Sequence, residues 1–236
     1  MLAHQRLRWL AAGLVALASC ASADCPPACG VPPAENPELV TKWPGWLFLG
    51  DYEAQDVTRL CDLPDDVQQS LQSHLNARLG RALATELVLA GGQLVDRDAL
   101  LLAEPDAAQW EWEIPAYRLF FRLERPDAGL EAYYAEISLD AQGRVIEEID
   151  LPAVAAQGGE LQLVPLETAR MAVRALGHLG DLPAEIAYRP DLDTLVWIIT
   201  PDDTERSEGV MQYFQEVVVD GRDGHVVECL DREAIE

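Results

Sequence analysis

Val67, Leu71, Leu75 and Leu79 recur every four residues, the spacing that lines one face of an α-helix with apolar side chains. Asp62 stands where a cap belongs, Pro64 suits the first turn, and Gly80 suits the exit. From Ala84 onward the pattern changes to short apolar runs broken by turn signals such as Gly91-Gly92, which predict strands. Tyr117, Leu119, Phe121 and Leu123 alternate with Arg118, Arg122 and Glu124, the period of a half-buried strand. Phe120 breaks the alternation on the polar side. A second helix is predicted from about Leu166 to Leu179, with Ala169, Val173 and Leu176 inward and Gly180 past its end. A strand follows over Leu195–Thr200.

The chain also matches itself. Tyr133-Tyr134-Ala135-Glu136-Ile137-Ser138-Leu139-Asp140 aligns with Tyr213-Phe214-Gln215-Glu216-Val217-Val218-Val219-Asp220. Arg144-Val145-Ile146-Glu147-Glu148-Ile149-Asp150 aligns with His225-Val226-Val227-Glu228-Cys229-Leu230-Asp231. The single inserted residue falls in the intervening Gly-containing turn, where a length change costs least. Each copy reads as a hairpin, because Asp bonds to following backbone amides and Gly accepts a positive φ. Tyr133, Ala135, Ile137 and Leu139 share one side of the first hairpin; Tyr213, Gln215, Val217 and Val219 share one side of the second. A helix and a strand precede each. The expectation is therefore an α+β fold of two repeats, each a helix packed on an antiparallel sheet.

Residues 165 to 231 resemble a PepSY-type domain. The resemblance rests on the helix Glu167-Thr168-Ala169-Arg170-Met171-Ala172, the strands after it, and the hairpin around Val219-Asp220-Gly221-Arg222-Asp223-Gly224-His225-Val226. It covers about a third of the chain. The first unit lacks the Ala spacing and carries a longer insert, so it is a degenerate copy. The resemblance implies a cystatin-like fold and an extracytoplasmic binding or regulatory role, with relatives in protease propeptides. It implies no catalytic residues.

The N-terminus supplies an address. His4, Arg6 and Arg8 precede an uncharged run from Trp9 to Ala18 and then small residues, the layout of an export signal. The run is about half of the roughly 20 residues a membrane-spanning helix needs. Leu17-Ala18-Ser19-Cys20 resembles the lipobox of bacterial lipoproteins, which implies an acylated Cys20 and a tether of several acyl chains. Ala21, in place of Asp, by the same resemblance implies the outer membrane, facing the periplasm, in a Gram-negative host. Ala21-Ser22-Ala23 also fits ordinary cleavage before Asp24, which would give a soluble periplasmic or secreted protein. The chain divides on this reading into a signal at 1–19, a Pro-rich tether at 20–44, a first unit at 45–155 and a PepSY-like unit at 156–236. Trp43-Pro44-Gly45-Trp46 opens the apolar material and reads as packing at the edge of the body.

Charge narrows the partners. The chain holds 41 acidic residues against 17 basic ones, a net charge of −24, and loss of Arg6 and Arg8 makes it more negative. Lys42 is the single lysine. Phosphate backbones are repelled, so nucleic acid is excluded as a partner. The expected partners are the membrane, through the N-terminal lipid, and another envelope protein. Four cysteines besides Cys20, namely Cys25, Cys29, Cys61 and Cys229, allow three connectivities in an oxidising compartment. The favoured one pairs Cys25 with Cys29 and Cys61 with Cys229. Cys25-Pro-Pro-Ala-Cys29 is C-x-x-x-C, one residue too long for a C-x-x-C metal or redox motif.

No catalytic constellation emerges. His74, His178 and His225 are far apart in sequence, and no zincin, nucleophile-elbow or phosphate-loop motif is present. Glu147 and Glu148, as strand neighbours, are expected to point to opposite faces. Asp220, Asp223, Asp191 and Asp193 are candidate calcium ligands, but Arg222 stands among them and calcium wants six to eight oxygens. The acidic stretch Asp202-Asp203-Thr204-Glu205 reads as a loop. Neither a metal nor a cofactor is expected. The leading expectation is a non-enzymatic envelope lipoprotein that binds or modulates another protein, a protease among the options, through sheet edges or loops. The alternatives are a structural or assembly lipoprotein that spaces envelope layers and a hydrolase of unrecognised type.

Overall fold

In this computed structural model, residues 40–44, 49–50, 52–110, 113–202, 206–208 and 211–235 are described. Three helices and eleven strands appear among them. In chain order they are β1 (Val40–Lys42), β2 (Gln55–Val57), α1 (Asp65–Glu86), β3 (Val88–Leu94), α2 (Arg97–Ala103), β4 (Tyr117–Arg125), β5 (Leu130–Leu139) and β6 (Val145–Glu147). Then follow α3 (Leu166–Ala175), β7 (Ala184–Arg189), β8 (Thr194–Ile199), β9 (Arg206–Glu208), β10 (Met211–Asp220) and β11 (Val226–Ile235). The class is mixed α+β with two sheets. No described helix is long and apolar enough to cross a membrane.

The strands from β3 to β6 form an antiparallel meander, and β2 and β1 add at its flanks to give the order β1-β5-β4-β3-β2. β1 and β6 share one edge of β5: β1 lies parallel at Leu130–Tyr133, and β6 lies antiparallel at Ser138–Leu139. The second sheet has the order β11-β10-β8-β7, with β9 beside the far half of β10. In each half of the chain a helix precedes antiparallel strands: β3, β4, β5 and β6 follow α1, with α2 between β3 and β4, and β7 to β11 follow α3. β1 lies against β7, which brings the two sheets together.

The helical spacing produces the expected face. Val67, Leu71, Leu75 and Leu79 are all buried, each stabilising the fold by roughly 1.5–3 kcal/mol relative to exposure. Asp65 and Asp66 in the first turn suit the positive end of the helix dipole. Asp62 serves elsewhere: its carboxylate accepts from the Arg59 backbone N–H at 3.0 Å and closes a 3-10 turn ahead of α1. Gly80 bends the helix instead of ending it. At φ 76° and ψ 156° it breaks the ladder, and helix resumes through Glu86. A Cβ there would stand 3.1 Å from Gly159, where the turn Ala155–Gln157 packs on α1.

Tyr133, Ala135, Ile137 and Leu139 lie in the main core, as do Tyr117, Leu119, Phe121 and Leu123. Val217 and Val219 join them from the second hairpin, whereas Tyr213 and Gln215 are half-buried. Phe120 is buried too, on the opposite face of the first sheet, as are Tyr134 and Ser138, so β5 and the centre of β4 are covered on both sides. Trp43 stacks on Tyr134 with ring centroids 5.4 Å apart. A smaller cluster of Leu49, Val95, Leu100 and Ala107 lies under α2.

Three differences from the sequence reading stand out. Val40–Lys42, assigned to the tether, is a strand of the first sheet. The second helix stops at Ala175, because Leu176 takes a terminal conformation and Gly177 turns at φ 105°; Leu176 and Leu179 are consequently exposed. The expected boundary at 155/156 falls inside the turn Ala155–Gln157, and one core runs across it: α1, β4 and β5 share it with α3, β8 and β10.

Candidate functional site

The two Asp–Gly turns are built alike. Asp140 donates its N–H to the Arg144 carbonyl at 2.8 Å and accepts from Gly143 N–H at 3.0 Å. Asp220 donates to the His225 carbonyl and accepts from Gly224 N–H, both at 2.9 Å. Gly143 and Gly224 adopt φ 73° and 78°. Each Asp carboxylate also takes a backbone N–H two residues on and a guanidinium: Gln142 and Arg144 in the first turn, Arg222 in the second. Burial pushes both carboxyls up, but the arginine and backbone donors outweigh it and hold them below the usual range.

A polar seam runs between the two halves. Register places Lys42 of β1 opposite Tyr133 of β5. Its ammonium lies 4.6 Å from the Tyr133 ring centroid and 2.5 Å from Asp150 Oδ2. The Tyr133 hydroxyl lies 2.9 Å from both the carbonyl and Oδ2 of Asp150, and Glu136 N–H donates to Oδ1 at 2.5 Å. Burial pushes the Asp150 carboxyl above its ordinary range, against the pull of Lys42. Burial also carries the Tyr133 hydroxyl far above its ordinary value, with Asp150 adding to the shift. Such a hydroxyl is no proton shuttle near neutrality.

Arg78 of α1 extends the seam. Its guanidinium donates to the Leu151 carbonyl at 2.9 Å and to Tyr188 Oη at 3.0 Å, and sits 3.7 Å from Asp193 Oδ1. The Tyr188 hydroxyl donates to Asp193 at 2.8 Å, and Asp193 also accepts from Ala153 N–H. Burial, then Asp193, push the Tyr188 hydroxyl up to about 12. His74 meets Glu148 at 3.0 Å. Every carboxylate in this network is directed at a partner within the fold, which is the behaviour of a clamp.

The sequence-derived candidates are thus dispersed. Glu148 faces α1 while Glu147 accepts from Ser138 on the other side of the strand. Asp191 is held by both arms of Arg189 at 2.8 Å, and Asp193 belongs to the seam. Asp220, Asp223 and His225 do converge, with ligand atoms within 4.8 Å of one another. Arg222 already occupies both Asp220 oxygens, however, and His225 binds Asp223. His178 lies just beyond α3. Lys42, Asp150, Arg78 and Tyr188 were not singled out for the seam; the lone lysine was the one available signal.

Cys229 rules out the expected Cys61–Cys229 disulfide, while the expected Cys25–Cys29 pair lies outside the described residues. Cys229 is a free thiol, exposed on the edge strand β11. Cys61 is disulfide-bonded, with its partner outside the described residues. Cys20, Cys25, Cys29, Trp46 and residues 203–205 also lie outside them.

What the described surface offers is sheet edge. On the side away from β10, β11 has no strand partner along its ten residues among those described. At the far end of the first sheet, β2 pairs with β3 only from Val57 opposite Gly92 to Gln55 opposite Leu94. Where the two strands part, an open depression of about 320 Å³ is lined by Asp56, Val57, Thr58, Ala90, Gly91 and Gly92. Asp56 is its sole ionisable lining residue. Set against known protein families, functionally characterised proteins and solved structures, the chain matches none.

Proposed function

We propose that this chain is an exported envelope lipoprotein, acylated at Cys20, whose body is a non-enzymatic protein-binding or protease-modulating module. The body is read as two copies of a cystatin-like, PepSY-like helix-on-sheet unit, the first degenerate. A helix followed by antiparallel strands in each half supports that reading, as do the two Asp-capped turns. The observation that carries the functional proposal is the edge of β11, ten residues long, which no described strand covers and which could accept an added strand. The ionisable groups of the seam, by contrast, are turned inward and matched to one another.

The test is site-specific photo-crosslinking in the intact envelope. A photoreactive residue at Leu230 should give one discrete protein adduct, while the same residue at Leu102 on the exposed side of α2 should give none. The absence of a β11 adduct, or an equal pattern from both sites, overturns the proposal. Mass spectrometry of the mature N-terminus tests the anchor: a mass consistent with acyl chains on Cys20 is expected, and an unmodified Asp24 start excludes it.

A further inference from the structure

Resting on that reading, we infer that the β11 edge receives an extended segment of a basic protein, with Lys or Arg at alternate positions. The register of β10 and β11 sorts the edge into two rows, since directly opposed residues share a face. Glu228 opposes Val218, Leu230 opposes Glu216, and Arg232 opposes Phe214; these form the outer row. Cys229 opposes Val217, Asp231 opposes Gln215, and Glu233 opposes Tyr213; these form the row on the core side.

The outer row is already neutralised. Arg189 reaches from β7 across β8 and β10 to Glu228 at 3.2 Å, and Arg232 binds Glu216 at 2.7 Å. The other row is not. Asp231 accepts from the Gln215 amide at 3.3 Å, and neither Asp231 nor Glu233 has an ion-pair partner among the described residues. Both are exposed. They stand two positions apart on one face, about 7 Å along the strand. A strand added to this edge would bring its own same-face side chains within about 5 Å of them. Cations at alternate positions complete that row, and anions there are repelled.

The rest of the molecule favours the same partner. A chain of net charge −24 draws cationic partners by long-range attraction and repels its own copies. Edge carboxylates that discourage pairing between identical chains are, by the same field, selective for a strand of opposite sign.

Cys229 supplies the measurement, because it stands in the same row as Asp231. The probe is a ten-residue peptide alternating Lys and Val, with one Cys moved along it, incubated with the full chain in a glutathione redox buffer. The Cys229→Ser variant sets the background from other cysteines. Mixed disulfide with Cys229 is expected only when the peptide Cys occupies every second position. The yield should fall at least tenfold between 0.05 M and 0.5 M salt. It should fall at least tenfold in Asp231→Asn/Glu233→Gln, whose circular dichroism should stay native. A Glu/Val peptide should give none. Equal yield at every Cys position, or equal yield with the Glu/Val peptide, overturns the inference. So does a Cys229–Cys229 dimer that excludes the peptide, which would make a second copy the occupant. If the peptide fails while Leu230 photo-adducts persist in the envelope, the partner's chemistry is wrong and the binding reading stands; if both fail, so do both proposals.

Discussion

Lys42 and Asp150 are 108 residues apart in sequence, and their charged groups meet at 2.5 Å. The pair fastens β1 to the segment that follows β6, at the place where the two sheets come together. β1 contributes three residues to the sheet. Beyond its ladder to β5 and the Thr41–Glu131 hydrogen bond, it is held by this ion pair and by Trp43 stacked over Tyr134.

Replacing Lys42 with Met should destabilise the protein by about 2–4 kcal/mol, because it leaves a largely buried carboxylate without its counter-charge. Lys42→Met/Asp150→Asn should recover part of that loss, since both charges are then gone. Urea unfolding of the four proteins of this cycle measures the coupling. A double variant no more stable than Lys42→Met alone would show that the pair does not act as a unit.

The pH dependence has two opposing contributions. The folded-state value of Asp150 lies above its unfolded value. In the window between about 3.9 and that raised value, the native state holds a proton the unfolded state has released. Asp150 therefore adds stability as pH falls through this window. Asp220 is the reverse: its depressed value gives stability that is present above about pH 3.9 and is lost as pH falls through its folded value. Asp150→Asn should steepen the acid loss of stability, and Asp220→Asn should flatten it below pH 4. Denaturant midpoints between pH 3 and pH 7 report both slopes.

Gly92 is required by close approach. A Cβ at this position would lie 2.6 Å from the Arg118 carbonyl oxygen and 2.8 Å from Leu119 Cδ2. The β3–β4 ladder cannot yield there without losing register, so Gly92→Ala should cost about 1–3 kcal/mol. The neighbouring Gly91→Ala meets only the Val57 carbonyl, at 3.9 Å, and its penalty should come from backbone conformation alone. A thermal melt of each variant separates crowding from conformational strain.

The two described cysteines should behave differently. Cys229→Ser should leave stability within about 0.5 kcal/mol, as expected of an exposed side chain without partners in the core. Cys61→Ser should cost about 2–5 kcal/mol through loss of its disulfide. Maleimide labelling of the native protein should modify Cys229 without reductant and Cys61 only after reduction.

Local pattern made much of the fold readable. Leucines at helical spacing defined the buried face of α1, because an apolar stripe on a helix has to be covered. Alternation defined β4, and the Asp–Gly turns defined both hairpins, because an Asp side chain and a glycine at positive φ satisfy the turn with nearest neighbours only. Glu147 and Glu148 diverge for a reason fixed by the backbone of any strand. The helix ends were harder to read. Gly80 and Gly177 are both glycines beside an apolar run, and it is packing that makes the first a bend within α1 and the second an end to α3.

The sequence by itself determined the buried face of α1, the alternation of β4, the acidic charge and the turn chemistry of both hairpins, since each pattern depends on residues within a few positions of one another. Tertiary structure alone decided that Val40–Lys42 joins a sheet, that Phe120 is buried on the second face, and that one core serves both halves. It also decided that Lys42 finds Asp150, that Arg189 crosses two strands to reach Glu228, and that Cys229 stands free on an open edge. These are contacts between segments distant along the chain. Their geometry is set by how sheets and helices pack together, which no local pattern encodes.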